Sequence, residues 1–465
     1  MENSKSPGVS KRVVLIINIV SAFVGTIMFT SISVALPTIG KDLSMEAVPM
    51  GWVVNVSLLS STAVLLACGR LADIYGLKKF YLYGTIIFAA ASFLCAFANS
   101  GTLLIAYRAF QAMGSSLAGS VTAILVSVFP PQERGKALGM SLASTYLGAC
   151  AGPFLGGVLT QHIGWRSIFL LVGFLSLVTI VLIIWKLKRE WAEARGEKFD
   201  TIGAIIFGLS LVVAIYGFTM LLTPLGMALV VAGILGLVVF FRWESRRKSP
   251  LLNVNVFRKN RVFVFANLAT LINYSANMAV IILLTLYLQY NKGLDPQTAG
   301  AIVLFHSVGM AIMSPIAGRL SDRIEPRKIC AVSLAMNCVL FLFFYFLTDE
   351  TPLGLIMVEL FIFGISWGLF SSPNVNAVMG SVDNKYLAVA SATQGTMRSA
   401  GMMLSMAITM ILFSAFIGDV EITPQYYPAF LTSAKVGFLI FAALSFSGIF
   451  VQLAGKPKTE PGLIV

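Results

Sequence analysis

Apolar residues run along this chain in long, nearly unbroken stretches that end in short polar turns. Fourteen of the stretches are long enough to cross a hydrocarbon core, which needs about 20 apolar residues. They predict helices at 13–36, 49–69, 80–98, 101–128, 136–160, 165–186, 200–221, 224–243, 261–290, 297–318, 328–347, 352–378, 387–416 and 433–454. The division at Pro224 is the least marked, and one long re-entrant element is the alternative there. A spanning β-barrel would need short alternating segments, and the continuous runs exclude it. Only helices and closed barrels satisfy their backbone polar groups in lipid. The pattern therefore implies an all-α integral membrane protein.

Composition agrees. Of 465 residues, 57% are hydrophobic and 11% charged, against about a quarter charged in soluble proteins. The first ten residues are polar and the first helix leads into the bundle, so no cleaved signal peptide is expected. The five cysteines all lie inside apolar runs, without zinc or disulfide spacing. They read as small buried hydrophobes, and no metal site is expected.

Charge adds orientation. Of the 33 Lys and Arg residues, 27 fall in alternate loops and 4 on the opposite side, with Arg108 and Arg398 inside helices. This asymmetry places the basic loops, and both termini, in the cytoplasm of a cell or inner membrane. The net charge of +13 is then mostly topology, with some attraction to anionic lipid. Nucleic-acid binding is not implied.

A repeat is visible directly. Gly69–Lys79 reads GRLADIYGLKK and Gly318–Lys328 reads GRLSDRIEPRK, 249 residues later. The spacing divides the chain into a six-helix bundle at 1–186, two additional helices with linkers at 187–260, and a second six-helix bundle at 261–465. Paired halves around a central site are common in secondary transporters. A channel is the less favoured alternative, because no filter-like segment is present.

Several residues carry candidate chemistry. In the repeated turn, Asp73 can accept amide hydrogen bonds at the next helix start or pair with a base from a neighbouring helix. Gly76 permits a backbone angle closed to other residues, Gly69 permits close helix packing, and Lys78 and Lys79 face the lipid surface. With Gly318, Asp322 and Arg327 they form a paired conformational latch. In the fifth helix, Gly148, Gly152 and Gly156 make a smooth face, continued by Gly157. Pro153 removes an amide donor, so a kinked helix packed on a partner from the other half is expected, with static packing alone as the alternative. Arg108, deep in the fourth helix with Gln111 one turn away, needs a partner or a watery cavity. It reads either as tied to carbonyl groups or as a cavity arginine linked to proton or substrate movement.

Glu359 is the one carboxylate well inside a helix, and the repeat offset maps Arg108 to Met357 beside it. Taking up and releasing a coupling proton is its expected role, with a fixed ion pair or a cation-substrate anchor as alternatives. His306 is either a titrating group or a buried neutral histidine. Arg398 is either interior or snorkelling. Asn18, Asn277 and Asn374 add polar points, and Tyr146, Tyr274, Trp52 and Trp367 are candidates for an aromatic cavity. Such a cavity suits lipophilic or amphipathic molecules. No P-loop or catalytic constellation stands out, so neither ATP hydrolysis nor enzymatic activity is expected.

These stretches resemble the major facilitator superfamily, in particular its fourteen-helix drug/proton antiporter branch. The resemblance rests on ALPTI at Ala35–Ile39, Gly51–Trp52, the Gly69–Lys79 turn, RAFQAMG at Arg108–Gly114, GACAGPFLGG at Gly148–Gly157 and WRSIF at Trp165–Phe169. It implies alternating access with proton influx driving efflux, a monomer as functional unit, and the proton gradient in place of a cofactor. Two positions depart from the family pattern: Met28 replaces an aspartate common in proton-coupled members, and Ala112 replaces a glycine. Coupling would then move to Glu359 or use another mode. A transporter dedicated to one metabolite, lipid precursor or siderophore, and a non-transporting sensor or scaffold, are the competing readings.

Overall fold

The computed structural model describes residues 10–192, 195–246, 260–321, 323–382, 387–418 and 420–455. Its helices are α1 (Lys11–Asp42), α2 (Ala47–Tyr75), α3 (Leu77–Ala96), α4 (Gly101–Ala118), α5 (Ser120–Val128), α6 (Pro131–His162), α7 (Arg166–Lys186), α8 (Thr201–Thr219) and α9 (Pro224–Glu244). They continue with α10 (Arg261–Tyr290), α11 (Pro296–Leu320), α12 (Pro326–Tyr345), α13 (Leu353–Gly380), α14 (Leu387–Phe416) and α15 (Tyr427–Ala454). Fourteen spans are long and apolar enough to cross a membrane, with α4 and α5 sharing one.

The polar turns that interrupt the apolar runs also start the helices. Ser100, Asp200, Thr223, Asn260 and Asp295 each accept a hydrogen bond from the amide three residues on, satisfying a donor that the first helical turn leaves free. Predicted boundaries move where apolarity and helicity part. Pro37 does not end α1, which runs on to Asp42. The second helix continues through Asp73 to Tyr75 and stops at Gly76, whose φ is +125°. The fourth predicted helix breaks at Gly119, and the last begins at Tyr427 rather than 433.

Two bundles result. In the first, α1 packs on α6 and α7, and α3 on α4 and α7; in the second, α10 packs on α14 and α15, and α11 on α13. The bundles meet through α6 with α11, α2 with α14, and α1 with α10. The additional helices are central in sequence but lateral in space. α8 lies on both α2 and α14, and α9 packs on α8. Trp52 therefore packs on Tyr216 of α8, ring centres 6.0 Å apart, and is not part of a central aromatic wall.

Hydrogen bonds between the bundles cluster away from the basic turns. The Ala47 amide donates to the Val420 carbonyl (3.0 Å), Gln289 to the Val34 carbonyl (2.9 Å), and His162 meets Gln297 (2.8 Å). Nearer the membrane middle, Ser307 donates to the Ala149 carbonyl (2.9 Å). Among the described residues no hydrogen bond joins the bundles at their basic ends. Among the described residues, the hydrogen bonds that join the halves thus lie at the end opposite the basic loops and near the membrane middle.

Candidate functional site

A row of rings crosses the second bundle. His306 of α11 lies 5.6 Å from Trp367 of α13, and Trp367 lies 5.4 Å edge-on from Tyr274 of α10. Phe363, one turn from Trp367, stands 5.0 Å from His306. Arg398 of α14 sits beside the Tyr274 hydroxyl, and Tyr146 of α6 approaches from the first bundle. Arg398 is exposed and Tyr146, Tyr274 and Trp367 are partly exposed. Four candidates of the second bundle thus form one wall, which Tyr146 of α6 approaches from the first. Aromatic edges and faces with one guanidinium suit a flat, partly apolar guest.

Glu359 shares this wall's helix but not its level. Residues 359, 363 and 367 recur every fourth position and so lie on one stripe of α13, placing Glu359 about 12 Å from Trp367 along the axis. Glu359 is 6% exposed, and its Oε2 has no hydrogen-bond partner.

The alternative of a fixed ion pair between Glu359 and Arg108 does not form. Arg108 is buried inside the first bundle, where Nε donates to the Val53 carbonyl (3.2 Å) and Nη1 to Gln111 Oε1 (2.5 Å). Gln111 passes the chain on to Ser92 Oγ (2.7 Å). Sequence repetition gives the two charges matching depth in matching helices, but each helix turns its charge into its own bundle. Of the two readings of Arg108, the one tied to carbonyl groups matches this geometry. The asparagines also separate. Asn277 donates to Asn273 (2.9 Å) and Asn374 to Thr270 Oγ1 (2.6 Å) within the second bundle, whereas Asn18 lines a recess of the first.

Corrections apply to the glycine helix and the latch. Gly148, Gly152 and Gly156 face Phe23, Thr26, Thr30 and Ser31 of α1, in the same half. Only the adjoining edge reaches the other half: a Cβ on Gly157 would lie 2.4 Å from the Pro296 carbonyl, and one on Gly300 2.2 Å from the Pro153 carbonyl. α6 continues as helix through Pro153. In the first latch turn, the α3 amides do not go to Asp73. Leu77 donates to the Trp191 carbonyl and Lys78 to Glu190 Oε1, both at 2.8 Å, so the segment after α7 caps α3. Arg70 pairs with Glu197 of the same segment. Lys79 is exposed, and Gly69 faces open space. In the second turn Gly318 faces Ser372, and Arg327 binds Glu325 (2.8 Å). Asp322 lies outside the described residues.

Sequence reasoning missed the capping by Glu190 and Trp191, because nothing local ties a linker to a turn more than a hundred residues earlier. It also missed the hydroxyls of α3 and α7, since Ser and Thr in an apolar helix commonly satisfy themselves on their own backbone.

Comparison with known proteins agrees with this architecture. The sequence is 30% identical over 461 residues to the riboflavin transporter RibZ of Clostridioides difficile (strain 630), covering 97% of this chain and 99% of that protein. It is 26% identical over 464 residues to the methylenomycin A resistance protein of Bacillus subtilis (strain 168), covering 97% and 95%. The fold superposes on the crystal structure of peptide transporter POT in complex with sulfate, with a TM-score of 0.68, 14% identity, and coverage of 93% and 94%. The Major Facilitator Superfamily pattern matches residues 19–406 and again 266–462. Two six-helix bundles meeting face to face, together with this match over most of the chain, make it a member of the Major Facilitator Superfamily and a secondary transporter of small molecules.

Proposed function

We propose that this transporter exports amphipathic, ring-containing small molecules in exchange for protons, with Glu359 as the proton carrier. The basic loops and both termini face the cytoplasm in this reading. The observation that carries it is Glu359 itself. A carboxyl inside a span needs a functional reason, and one locked to a fixed cation could not exchange its proton freely. Among the described residues Glu359 has no cation partner, and it lies on the stripe that leads to Trp367. The drug-resistance name of the B. subtilis relative supports export.

The test is flux in proteoliposomes under an imposed pH gradient. Wild type accumulates substrate against its gradient; Glu359→Gln loses accumulation but keeps substrate exchange at zero gradient. Full coupling in the variant would sink the carrier role. A second reading, transport of one physiological solute, draws on RibZ, whose name gives riboflavin as its cargo. Competition among many unrelated compounds for one flux would count against it.

A further inference from the structure

The first bundle contains a recess of ≈ 200 Å³ between α1, α3, α4, α5, α6 and α7. Its back is closed by α3 and α7, which pack on each other. Its mouth lies between α1 and α4–α5, where Gly25, Ser115, Gly119 and Thr122 are exposed. Ser141 of its wall lies on α6, five residues before Tyr146, which approaches Tyr274 from the first bundle.

Hydroxyls line the buried end, together with the Asn18 amide. Thr85 donates to the Tyr81 carbonyl (2.7 Å), Ser176 to the Val172 carbonyl (2.7 Å) and Thr179 to the Leu175 carbonyl (3.0 Å). Each hydroxyl proton is therefore committed, and only acceptor lone pairs remain. Asn18 is 1% exposed, and its Oδ1 has no partner. An unmet acceptor at that depth is costly. The wall contains no Asp, Glu, Lys, Arg or His. A neutral guest with hydroxyls meets both the lone pairs of the three committed hydroxyls and the Asn18 amide, whereas a net charge would enter without a counter-charge. The volume is below that of a whole small-molecule site, roughly 300–1,000 Å³.

We infer that this recess holds the neutral, hydroxyl-bearing arm of a substrate whose ring portion rests against the wall of Tyr274 and Trp367. The assignment rests on the transport reading above and narrows it to substrates with a polyol-like arm.

Calorimetry on the purified full chain tests it with two probes sharing one ring system: riboflavin, which carries a ribityl chain, and lumiflavin, which has a methyl in its place. Wild type should bind riboflavin at least about tenfold more tightly. Asn18→Leu and Ser176→Ala should each bring riboflavin down to the lumiflavin level and leave lumiflavin unchanged. Ser176→Ala keeps the assay readable if Asn18→Leu fails to fold. Equal wild-type affinities, binding of neither flavin, or variants that weaken both probes alike would overturn the assignment. In those cases, pH-driven flux of a lipophilic cation by the same preparation reports separately whether the proton-exchange reading stands.

Discussion

Enlarging one glycine at the α6–α11 contact should move the whole transporter. Gly157 faces the Pro296 carbonyl and Gly300 the Pro153 carbonyl, at 2.4 and 2.2 Å from a built Cβ. Ordinary contact begins at 3.4 Å, so a methyl at Gly300 falls short by about 1.2 Å. The opposing atoms are backbone and cannot rotate away. Overpacking of this kind costs about 1–3 kcal/mol. The contact unites the halves at the end opposite the basic loops, so the cost falls on this conformation and is relieved when that end opens. A bias of about 1–3 kcal/mol changes the ratio of two states roughly 5–150-fold. Spin labels at Phe97→Cys and Phe346→Cys, both exposed and one in each bundle, would report it in a background without the five native cysteines. Gly157→Ala and Gly300→Ala should raise the long-distance population. Gly139→Ala, on the same helix but facing open space, should not. Unchanged distance distributions in both variants would refute the idea that this interface sets the conformational balance.

Three further outcomes follow from named contacts. Arg108→Leu strands the Val53 carbonyl and Gln111 Oε1 and should cost about 2 kcal/mol or more of stability, read as a lower melting temperature in detergent. Arg108→Lys should recover little, since it lacks the planar fork. Gly76→Ala meets both φ +125° and the Glu190 side chain at 2.5 Å, an arrangement costing about 1–3 kcal/mol. Faster hydrogen exchange at Leu77 and Lys78 would report the loosened cap. Asp295 caps α11, and hydrogen bonds from the Thr298 hydroxyl and amide hold its carboxyl below the ordinary 3.8. Its stabilisation is fully present above that unfolded value and is lost as pH falls through the folded one. Asp295→Ala should therefore cost about 1 kcal/mol at neutral pH, with the deficit against wild type shrinking below pH 3.8.

The spans were legible because a hydrocarbon core enforces length and apolarity directly, and the repeat was legible because its two turns keep Gly, Arg, Leu, Asp and basic residues in register. Partners were harder to read. Gly148, Gly152 and Gly156 promise a close neighbour, yet nothing in a small-residue stripe says whether that neighbour is α1 or a helix of the other half. Arg108 maps to Met357, two residues before Glu359, and two residues along a helix turn a side chain to nearly the opposite face, so matching depth did not mean meeting charges. The sequence named His306, Trp367, Tyr274, Arg398 and Tyr146 one by one. Only packing brings them together, because they come from five different helices. Asn18 was visible as a polar point. Its recess was not, since it depends on where serines and threonines of α3 and α7 point after satisfying their own helices.

Proton exchange by purified protein on substrate binding bears most directly on the central claim. In weakly buffered detergent solution, addition of an amphipathic cation or riboflavin to wild type should release protons, and Glu359→Gln should bind the same compound with no release. Proton release that persists undiminished in Glu359→Gln would contradict the account and place the carrier elsewhere in the molecule.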